Sequence, residues 1–314
     1  MHDFDDPPWF ARTSSLAGGP ASPRPPRTSA SQPDSVQPCA SPWDTWQNAE
    51  HYGDFIEEYP VYRALNRWLV TLAEVGEAGR VLDVACGTGA TSEACLAKMG
   101  PRAELVGVDI AEAMVGVARH RVPDARAEFR VARARDLRQA VEGPFDRAVC
   151  NAAFWQLAAP AQLPVDLAVL LDPGALFVFN VPADRVRGEA SAIHPFQIAL
   201  ARALEERTGR PLPPSSATID PERLEGWLED AGFDLVLQER KTYAARQEEL
   251  LELMKIPAMT APLAPGLEVE ARHAAVVQAG KRIDPDQRVE VPWIFFVARR
   301  RDPSDGEPVV GGDP

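Results

Sequence analysis

One stretch constrains the fold of this chain more than any other, Arg80–Gly89, with the sequence RVLDVACGTG. An apolar, β-branched run leads into Gly87 and Gly89, and a helical pattern follows from about Ala90. Glycine adopts backbone angles that other residues avoid, and it lets a ligand lie directly against the main chain. A strand, a glycine turn and a helix N-terminus in this order are typical of the first part of a nucleotide-binding βαβ unit.

Continuous apolar segments alternate with amphipathic ones after this turn. We predict strands at 81–85, 104–109, 127–131, 145–150, 175–181, 233–241 and 291–299. We predict helices at 90–99, 112–120, 161–171 and 221–231, and a turn at Asp172–Gly174 before the fifth strand. Strands buried on both faces and separated by helices indicate a doubly wound sheet. The expected fold is therefore α/β, with a Rossmann-like, seven-stranded sheet that is mostly parallel and has its last strand antiparallel.

The two ends of the chain differ in composition from the part between them. Residues 1–42 are rich in proline, serine and arginine, and residues 302–314 in aspartate, glycine and proline. Such segments bury too little apolar surface to offset the entropy of ordering, which predicts disordered tails. The domain between them spans 43–301 and begins with aromatic residues at helical spacing, which predict a helical cap over the glycine turn. Two long connections, about 182–217 and 243–292, predict functional insertions or lids.

Composition excludes several classes of partner. The formal charge of -13 argues against nucleic acid, because binding to phosphates requires clustered lysine and arginine. The cysteines form no C-x-x-C pair and have no histidine at zinc spacing, so we predict free thiols and no metal site. No apolar run approaches the ~20 residues of a membrane span, and the N-terminus is acidic where a signal peptide is basic. We expect a cytoplasmic protein, and its oligomeric state stays open.

Two carboxylates narrow the choice of nucleotide. A dinucleotide-binding turn requires a third glycine, and Ser92 stands at that position. Asp83, at the end of the first strand, repels a pyrophosphate but attracts a cationic or ammonium group. Asp109 ends the second strand about 20 residues after the turn, where a carboxylate holds the hydroxyls of a ribose. S-adenosylmethionine fits this description, since it combines a ribose with a positively charged amino-acid part and has no phosphate.

With these motifs the chain resembles the class I S-adenosylmethionine-dependent methyltransferases, in particular those that act on small molecules, over about residues 81–233. The resemblance is strongest in LDVACGTG, which begins at Leu82, and in VGVDIAEAMV, which begins at Val106. Asp83 is implied to support the glycine loop or the methionine ammonium group. The other implied cofactor-binding residues are Ala85, Gly87 and Gly89 in the turn, Asp109 at the ribose, and Ile110 and Met114 beside the adenine. Ala85 stands where many members of the family have glycine.

The implied site is less regular after the third and fourth strands. Family members often have an aspartate after the third strand that accepts a hydrogen bond from the adenine amino group, and Arg133 takes that place here. Arginine carries only donors, so the resemblance leaves this contact to Asp136 or to the backbone beside Ala134. Asn151, at the end of the fourth strand, is implied to lie near the reactive methyl group.

No motif specifies the acceptor of the methyl group. Phe154 or Trp155 faces the cofactor or substrate, with core packing as the alternative. His51, His194 and His273 are candidate bases, each with a surface or packing role as the alternative, and no catalytic residue is assigned.

The late insertion carries an apolar set that suits a lid over a lipid-like or aromatic acceptor, or else a helix pair that extends the core. Its members are Leu250, Leu251, Leu253, Met254, Ile256, Met259 and Leu263. We expect methyl transfer to a small, partly apolar molecule. Two alternatives remain open. One is an NAD-dependent oxidoreductase, which Asp83 and Ser92 disfavour, and the other is a catalytically inactive adaptor that retains the fold.

Overall fold

The computed structural model describes residues 41–212 and 219–302. The predicted tails lie outside the described residues, apart from 41–42 and 302, and so do Cys39 and residues 213–218 of the first insertion. The strands are β1 Arg80–Val84, β2 Glu104–Asp109, β3 Ala127–Val131, β4 Phe145–Cys150, β5 Leu171–Pro182, β6 Phe233–Arg246 and β7 Arg288–Arg300. The helices are α1 Trp46–Glu58, α2 Val61–Leu72, α3 Ala90–Leu96, α4 Glu112–Arg121, α5 Leu137–Ala140, α6 Gln162–Leu170, α7 Pro195–Thr208, α8 Pro221–Asp230, α9 Gln247–Lys255, α10 Pro257–Thr260 and α11 Val269–Gly280.

The described strands form one seven-stranded sheet in the order β3-β2-β1-β4-β5-β7-β6. The first five strands pair in parallel, and β7 runs antiparallel to both β5 and β6. This confirms the predicted doubly wound sheet with its antiparallel last strand. The strand order reverses between β1 and β4, and ligands of open α/β sheets bind outside the carboxyl ends of strands at such a point.

Both faces of the sheet are covered, as continuous apolar strands require. Val81 belongs to a core cluster with Leu65 and Leu69 of α2, while its neighbour Leu82 belongs to a cluster with Leu167 of α6. The alternation follows from the period of two along a strand, which directs successive side chains to opposite faces. The predicted helical cap consists of α1 and α2, on the same face as Val81.

The segment Asp172–Gly174 is not a turn before β5, as predicted, but part of the strand. Leu171 already pairs with Phe145, and the register shifts before Leu176 pairs with Arg147. Gly174 lies in this irregularity with φ of 81°, and all three residues are exposed. The prediction was wrong because proline and glycine mark β-bulges as well as turns.

The second insertion is shorter in the structure than in the prediction, because the last two strands are longer. Arg246 of β6 pairs with Arg288 of β7, so the second insertion occupies 247–287 rather than 243–292. It contains α9, α10 and α11, and the first insertion contains α7. Helices α7, α9 and α11 share a small apolar cluster that includes Phe196, Leu204 and Val276. Within the described residues, no helix combines the length and the apolar character needed to cross a bilayer.

Candidate active site

The turn after β1 contains three residues with positive φ. The angles are 58° at Ala85, 54° at Gly87 and 83° at Gly89. A Cβ atom on Gly89 would lie 3.1 Å from Cβ of Ala118 in α4, so this glycine also allows α3 and α4 to approach each other closely. Ala85 occupies a left-handed conformation despite its side chain, which costs about 1 kcal/mol relative to glycine.

Asp109 joins the loop after β1 to the loop after β2. Its Oδ2 accepts a hydrogen bond from the Gly87 backbone N–H at 2.9 Å, and its Oδ1 accepts one from the Ala111 N–H at 2.9 Å. Burial raises the pKa of Asp109, and these backbone hydrogen bonds act in the opposite direction. Each carboxylate oxygen has a second lone pair, so the hydroxyls of a ribose can bind without loss of the loop contacts.

Asp83 is oriented toward α3. Its Oδ2 accepts a hydrogen bond from Ser92 Oγ at 2.6 Å, while its Oδ1 is enclosed and has no partner among the described residues. Burial raises the pKa of Asp83 to about 7, and the Ser92 hydrogen bond lowers it. Neither Asp83 nor Asp109 lines the cleft described below, and the hydrogen bond of Asp83 is to α3 rather than to the glycine loop. Ser92, which stands where a dinucleotide-binding turn has glycine, secures α3 to β1 instead.

A cleft lies between this turn, the two cap helices and the end of β4. It is lined by Tyr52, Ile56, Tyr62, Asn66, Ala85, Cys86, Gly87, Thr88, Ala90, Thr91 and Asn151. The rings of Tyr52 and Tyr62 contact edge to face, with 5.4 Å between their centroids. Burial raises the pKa of Tyr52 and the pKa of Tyr62 above their ordinary value, so both hydroxyl groups are neutral at neutral pH.

A buried polar network forms the wall of the cleft beside β4. Asn151 Nδ2 donates to Asn66 Oδ1 at 2.6 Å, and Thr91 Oγ1 donates to the same oxygen at 2.8 Å. Asn180 Nδ2, from β5, donates to Asn151 Oδ1 at 2.6 Å. Only Asn151 was singled out from the sequence. The lone asparagine in the otherwise apolar run around Asn180 is the signal that could have revealed the rest of the network.

The residues implied at the adenine lie after the carboxyl ends of β2 and β3. Ile110 is 40% exposed, whereas Met114 is buried in a cluster that Trp43 and Tyr52 contact. Ala134 and Asp136 are half-buried in one 3₁₀ turn directly before α5. The Ala132 N–H donates to the Asp109 carbonyl oxygen at 2.8 Å, which joins the two strand ends.

The two aromatic residues after β4, Phe154 and Trp155, differ in burial. Phe154 is fully buried and stacks on Phe179 with 4.3 Å between centroids, so core packing is its role. Trp155 is half-buried, and its ring lies 5.6 Å from that of Trp293 in β7.

None of the three candidate histidines lines the cleft. His51 and His273 are exposed. His194 is buried just before α7, its backbone N–H donates to Gln197 Oε1 at 2.9 Å, and burial lowers its pKa. The structure therefore supports the surface and packing alternatives for these side chains.

The apolar set of the second insertion also divides in two. Leu250, Leu251, Met254 and Leu263 pack into the cluster shared with α7, as the core-extension alternative predicts. Leu253, Ile256 and Met259 instead contact the sheet cluster that contains Ile56 and Trp293. Asn48 of α1 accepts a hydrogen bond from the Ala258 N–H at 3.0 Å, which connects α10 to the cap.

Comparison with known proteins identifies the region around the turn. Residues 81–174 match the family model described as a methyltransferase domain. The chain is 36% identical over 121 residues to trans-aconitate 2-methyltransferase of Variovorax paradoxus, covering 37% of this chain and 44% of that protein. It is 32% identical over 162 residues to the ubiquinone biosynthesis O-methyltransferase of Xanthomonas euvesicatoria, covering 50% of this chain and 63% of that protein. These matches span less than two thirds of either relative.

A longer but weaker match exists to trans-aconitate 2-methyltransferase of Methylobacterium nodulans, with 28% identity over 238 residues, 70% of this chain and 86% of that protein. Among solved structures, Haemonchus contortus phosphoethanolamine N-methyltransferase 2 in complex with S-adenosyl-L-methionine superimposes with a TM-score of 0.51. It is 18% identical, over 83% of this chain and 58% of that one, and so supports the fold alone.

Proposed function

We propose that this chain transfers a methyl group from S-adenosylmethionine to a small, partly apolar molecule, because residues 81–174 match the family model of a methyltransferase domain and carry the glycine turn of that cofactor. One observation carries the proposal. The left-handed turn after β1 is fastened by Asp109 at the point where the strand order of the sheet reverses. The trans-aconitate and ubiquinone-biosynthesis methyltransferases among the relatives support a small acceptor.

The residues present fit this cofactor. Gly87 lines the cleft and has no side chain to keep a ligand away from the main chain. Asp109 would hold the ribose hydroxyls, and Ile110 is exposed beside it for an adenine ring. Asn151 lines the cleft. When bound, S-adenosylmethionine supplies a methyl group on a positively charged sulfur.

The chain's own contribution is alignment and exclusion of water. Direct displacement depends mainly on holding the nucleophile, the methyl carbon and the sulfur in line. Leu253 and Met259 of the second insertion, together with Trp155, pack on the sheet cluster beside the cap and would shelter an apolar acceptor. Since no candidate histidine lines the cleft, we infer that the acceptor loses any proton without one.

Calorimetry with S-adenosylhomocysteine tests cofactor binding. The wild type should bind, and Asp109→Asn should bind roughly 100-fold more weakly, since hydrogen bonds to a charged group contribute about 1.5–3 kcal/mol. Glu104→Gln removes a carboxylate from the opposite end of the same strand and should leave the affinity unchanged. Failure of the wild type to bind would contradict the proposal, and NADH fluorescence enhancement would favour an oxidoreductase.

Transfer itself is tested with methyl-labelled S-adenosylmethionine and small-molecule extracts. Label should appear in an extracted compound only when the protein is present, and Asp109→Asn should abolish it at low cofactor concentration. Cofactor binding without any labelled product would favour the adaptor.

A further inference from the structure

Three asparagines form a hydrogen-bonded chain that begins at the backbone and ends in the cleft. The Ala152 N–H donates to Asn180 Oδ1 at 2.7 Å. Asn180 Nδ2 donates to Asn151 Oδ1 at 2.6 Å, and Asn151 Nδ2 donates to Asn66 Oδ1 at 2.6 Å. Four elements meet in this chain, since Asn66 lies on α2, Asn151 follows β4, Asn180 lies on β5, and Thr91 of α3 joins at Asn66.

The direction of these hydrogen bonds is determined by the first member. A backbone N–H can only donate, so Asn180 must present its oxygen to Ala152 and its amino group to Asn151. Asn151 must then accept with its oxygen and donate with its amino group to Asn66. Asn180 is 0% exposed, so water cannot substitute for any of these partners. The orientation of each amide therefore follows from one main-chain donor.

At the end of the chain, the oxygen of Asn66 is fully used. It accepts from both Asn151 and Thr91, which occupies its two lone pairs. Its amino group has no acceptor among the residues that the structure describes, although the side chain is only 4% exposed. Asn66 lines the cleft, and its Nδ2 is not among the enclosed atoms without a partner. The amino group is thus accessible from the cleft as a donor.

We propose that Asn66 binds a carboxylate or carbonyl oxygen of the ligand in this cleft, and that Asn180 is a positioning residue. Through Asn151, Asn180 keeps the amino group of Asn66, rather than its oxygen, directed at the cleft. An amide donor surrounded by buried, hydrogen-bonded partners is pre-organised for an oxygen acceptor. Two sources share this chemistry, the amino-acid carboxylate of the cofactor and an oxygen of the methyl acceptor. The identity of the ligand rests on the proposed function, whereas the orientation of the Asn66 amide does not.

Asn66→Asp tests whether ligand binding requires a hydrogen-bond donor at residue 66, and it changes the shape of the side chain little. One carboxylate oxygen can still accept from Asn151 and Thr91, but the other replaces the amino group and presents negative charge to the cleft. Gln238→Glu, at an exposed position of β6, is the matched control for the change in net charge. Calorimetry would compare S-adenosylhomocysteine with 5′-methylthioadenosine, which has the same nucleoside but no amino-acid part.

If the cofactor supplies the oxygen, Asn66→Asp should weaken S-adenosylhomocysteine at least about tenfold and leave 5′-methylthioadenosine within twofold. If the acceptor supplies it, both nucleosides should bind normally, and the variant should lose at least about tenfold in affinity for trans-aconitate measured with saturating S-adenosylhomocysteine. The proposal is overturned if Asn66→Asp binds both S-adenosylhomocysteine and trans-aconitate as tightly as the wild type does. It is also overturned if the wild type does not bind trans-aconitate and the affinity for S-adenosylhomocysteine is unchanged in the variant.

Asn180→Asp tests the positioning role from outside the cleft. A carboxylate cannot donate, so Asn151 must turn its amide to donate to residue 180, and Asn66 must turn in response and present its oxygen to the cleft. The same probe that responds to Asn66→Asp should therefore respond to Asn180→Asp, although Asn180 does not line the cleft. Equal weakening of both nucleosides would indicate a merely structural role and overturn this part.

Urea unfolding of each variant shows whether it is folded under the conditions of the binding experiment. If Asn180→Asp does not fold, Asn66→Asp with its control decides the proposal alone. Absence of any nucleoside binding by the wild type would contradict the proposed methyl transfer instead. In that case trans-aconitate binding without nucleoside still tests Asn66, and an unchanged affinity in Asn66→Asp would overturn its role.

Discussion

The turn after β1 and the helices inserted before and after β6 are stabilised in different ways. The turn depends on backbone angles and on main-chain hydrogen bonds to one carboxylate, Asp109. The inserted helices α7, α9 and α11 depend on apolar side chains that fill a common cluster. We therefore expect the turn to be sensitive to conformation and charge, and the inserted helices to volume.

The two regions also differ in how they match other proteins. The methyltransferase family model spans residues 81–174 and so includes the turn, whereas both insertions lie after its end. A cofactor shared by many enzymes requires one backbone geometry, while each acceptor requires its own surface. The following experiments test whether the two regions are as independent as this contrast suggests.

Leu204→Ala should have the largest effect on stability and none on cofactor binding. Leu204 is fully buried in the cluster shared by the insertions. Removing a buried leucine side chain costs about 2–5 kcal/mol, which urea unfolding would measure. The affinity for S-adenosylhomocysteine should stay within about twofold, because a cavity in this cluster leaves the backbone of the turn unchanged. A parallel loss of affinity would show that the regions are coupled.

Gly89→Ala should destabilise the turn by about 2–3 kcal/mol, through left-handed strain and overpacking together. The new Cβ would lie 3.1 Å from Ala118 Cβ, at φ of 83°. Gly174→Ala is the matched control, since its φ is 81° but nothing lies within 4 Å of the added atom. It should cost only about 1 kcal/mol. Equal losses in urea unfolding would mean that α3 and α4 separate without cost.

Asp83→Asn should change the pH dependence of stability. The pKa of Asp83 is raised to about 7 by burial, against about 3.9 in an unfolded chain. Between these values the folded protein keeps a proton that the unfolded chain releases, so the contribution of this group to stability is lost as pH rises through the window.

The side chain introduced by Asp83→Asn does not titrate. The free energy of unfolding of the variant, relative to that of the wild type, should therefore rise by about 2 kcal/mol between about pH 5 and about pH 8. Urea unfolding at the two pH values measures this difference. Glu104→Gln, on the exposed end of β2, should follow the wild type. Parallel pH profiles for Asp83→Asn and the wild type would show that Asp83 is already ionised in the folded protein.

Ala85→Gly should have the smallest effect and the opposite sign. Glycine relieves the strain of φ at 58°, but it also increases the entropy of the unfolded chain, so a net stabilisation of about 0.5 kcal/mol is expected. Ala97→Gly is the control, because Ala97 has a helical φ of -64° and should lose stability. A loss of stability in Ala85→Gly as well would contradict the conclusion that the backbone at Ala85 is strained.

The sequence predicted the seven strands of the described sheet, the helices α3, α4, α6 and α8, and the cap formed by α1 and α2, because apolar periodicity reports burial directly. The residues at which the strands begin and end were less predictable. The bulge at Asp172–Gly174 and the extension of β6 to Arg246 depend on pairing with distant strands, which local composition does not specify.

For the candidate site, the sequence predicted the residues whose function depends on spacing along the chain, namely the glycine turn and Asp109. Their role in cofactor binding remains a prediction. The sequence did not predict the partners of Asn151, because Asn66 and Asn180 lie on separate elements and become neighbours only in the folded sheet. Neither did it predict that Ser92 would bond to Asp83.

The pairing of Arg246 with Arg288 places the two ends of the second insertion side by side. An element that leaves and re-enters a sheet at adjacent points adds little closure entropy when its length changes. Such an element is interchangeable, since recombination could replace residues 247–287 without altering the register of β6 and β7. Any replacement must cover the apolar face of α7 and also the part of the sheet cluster that Leu253, Ile256 and Met259 now contact.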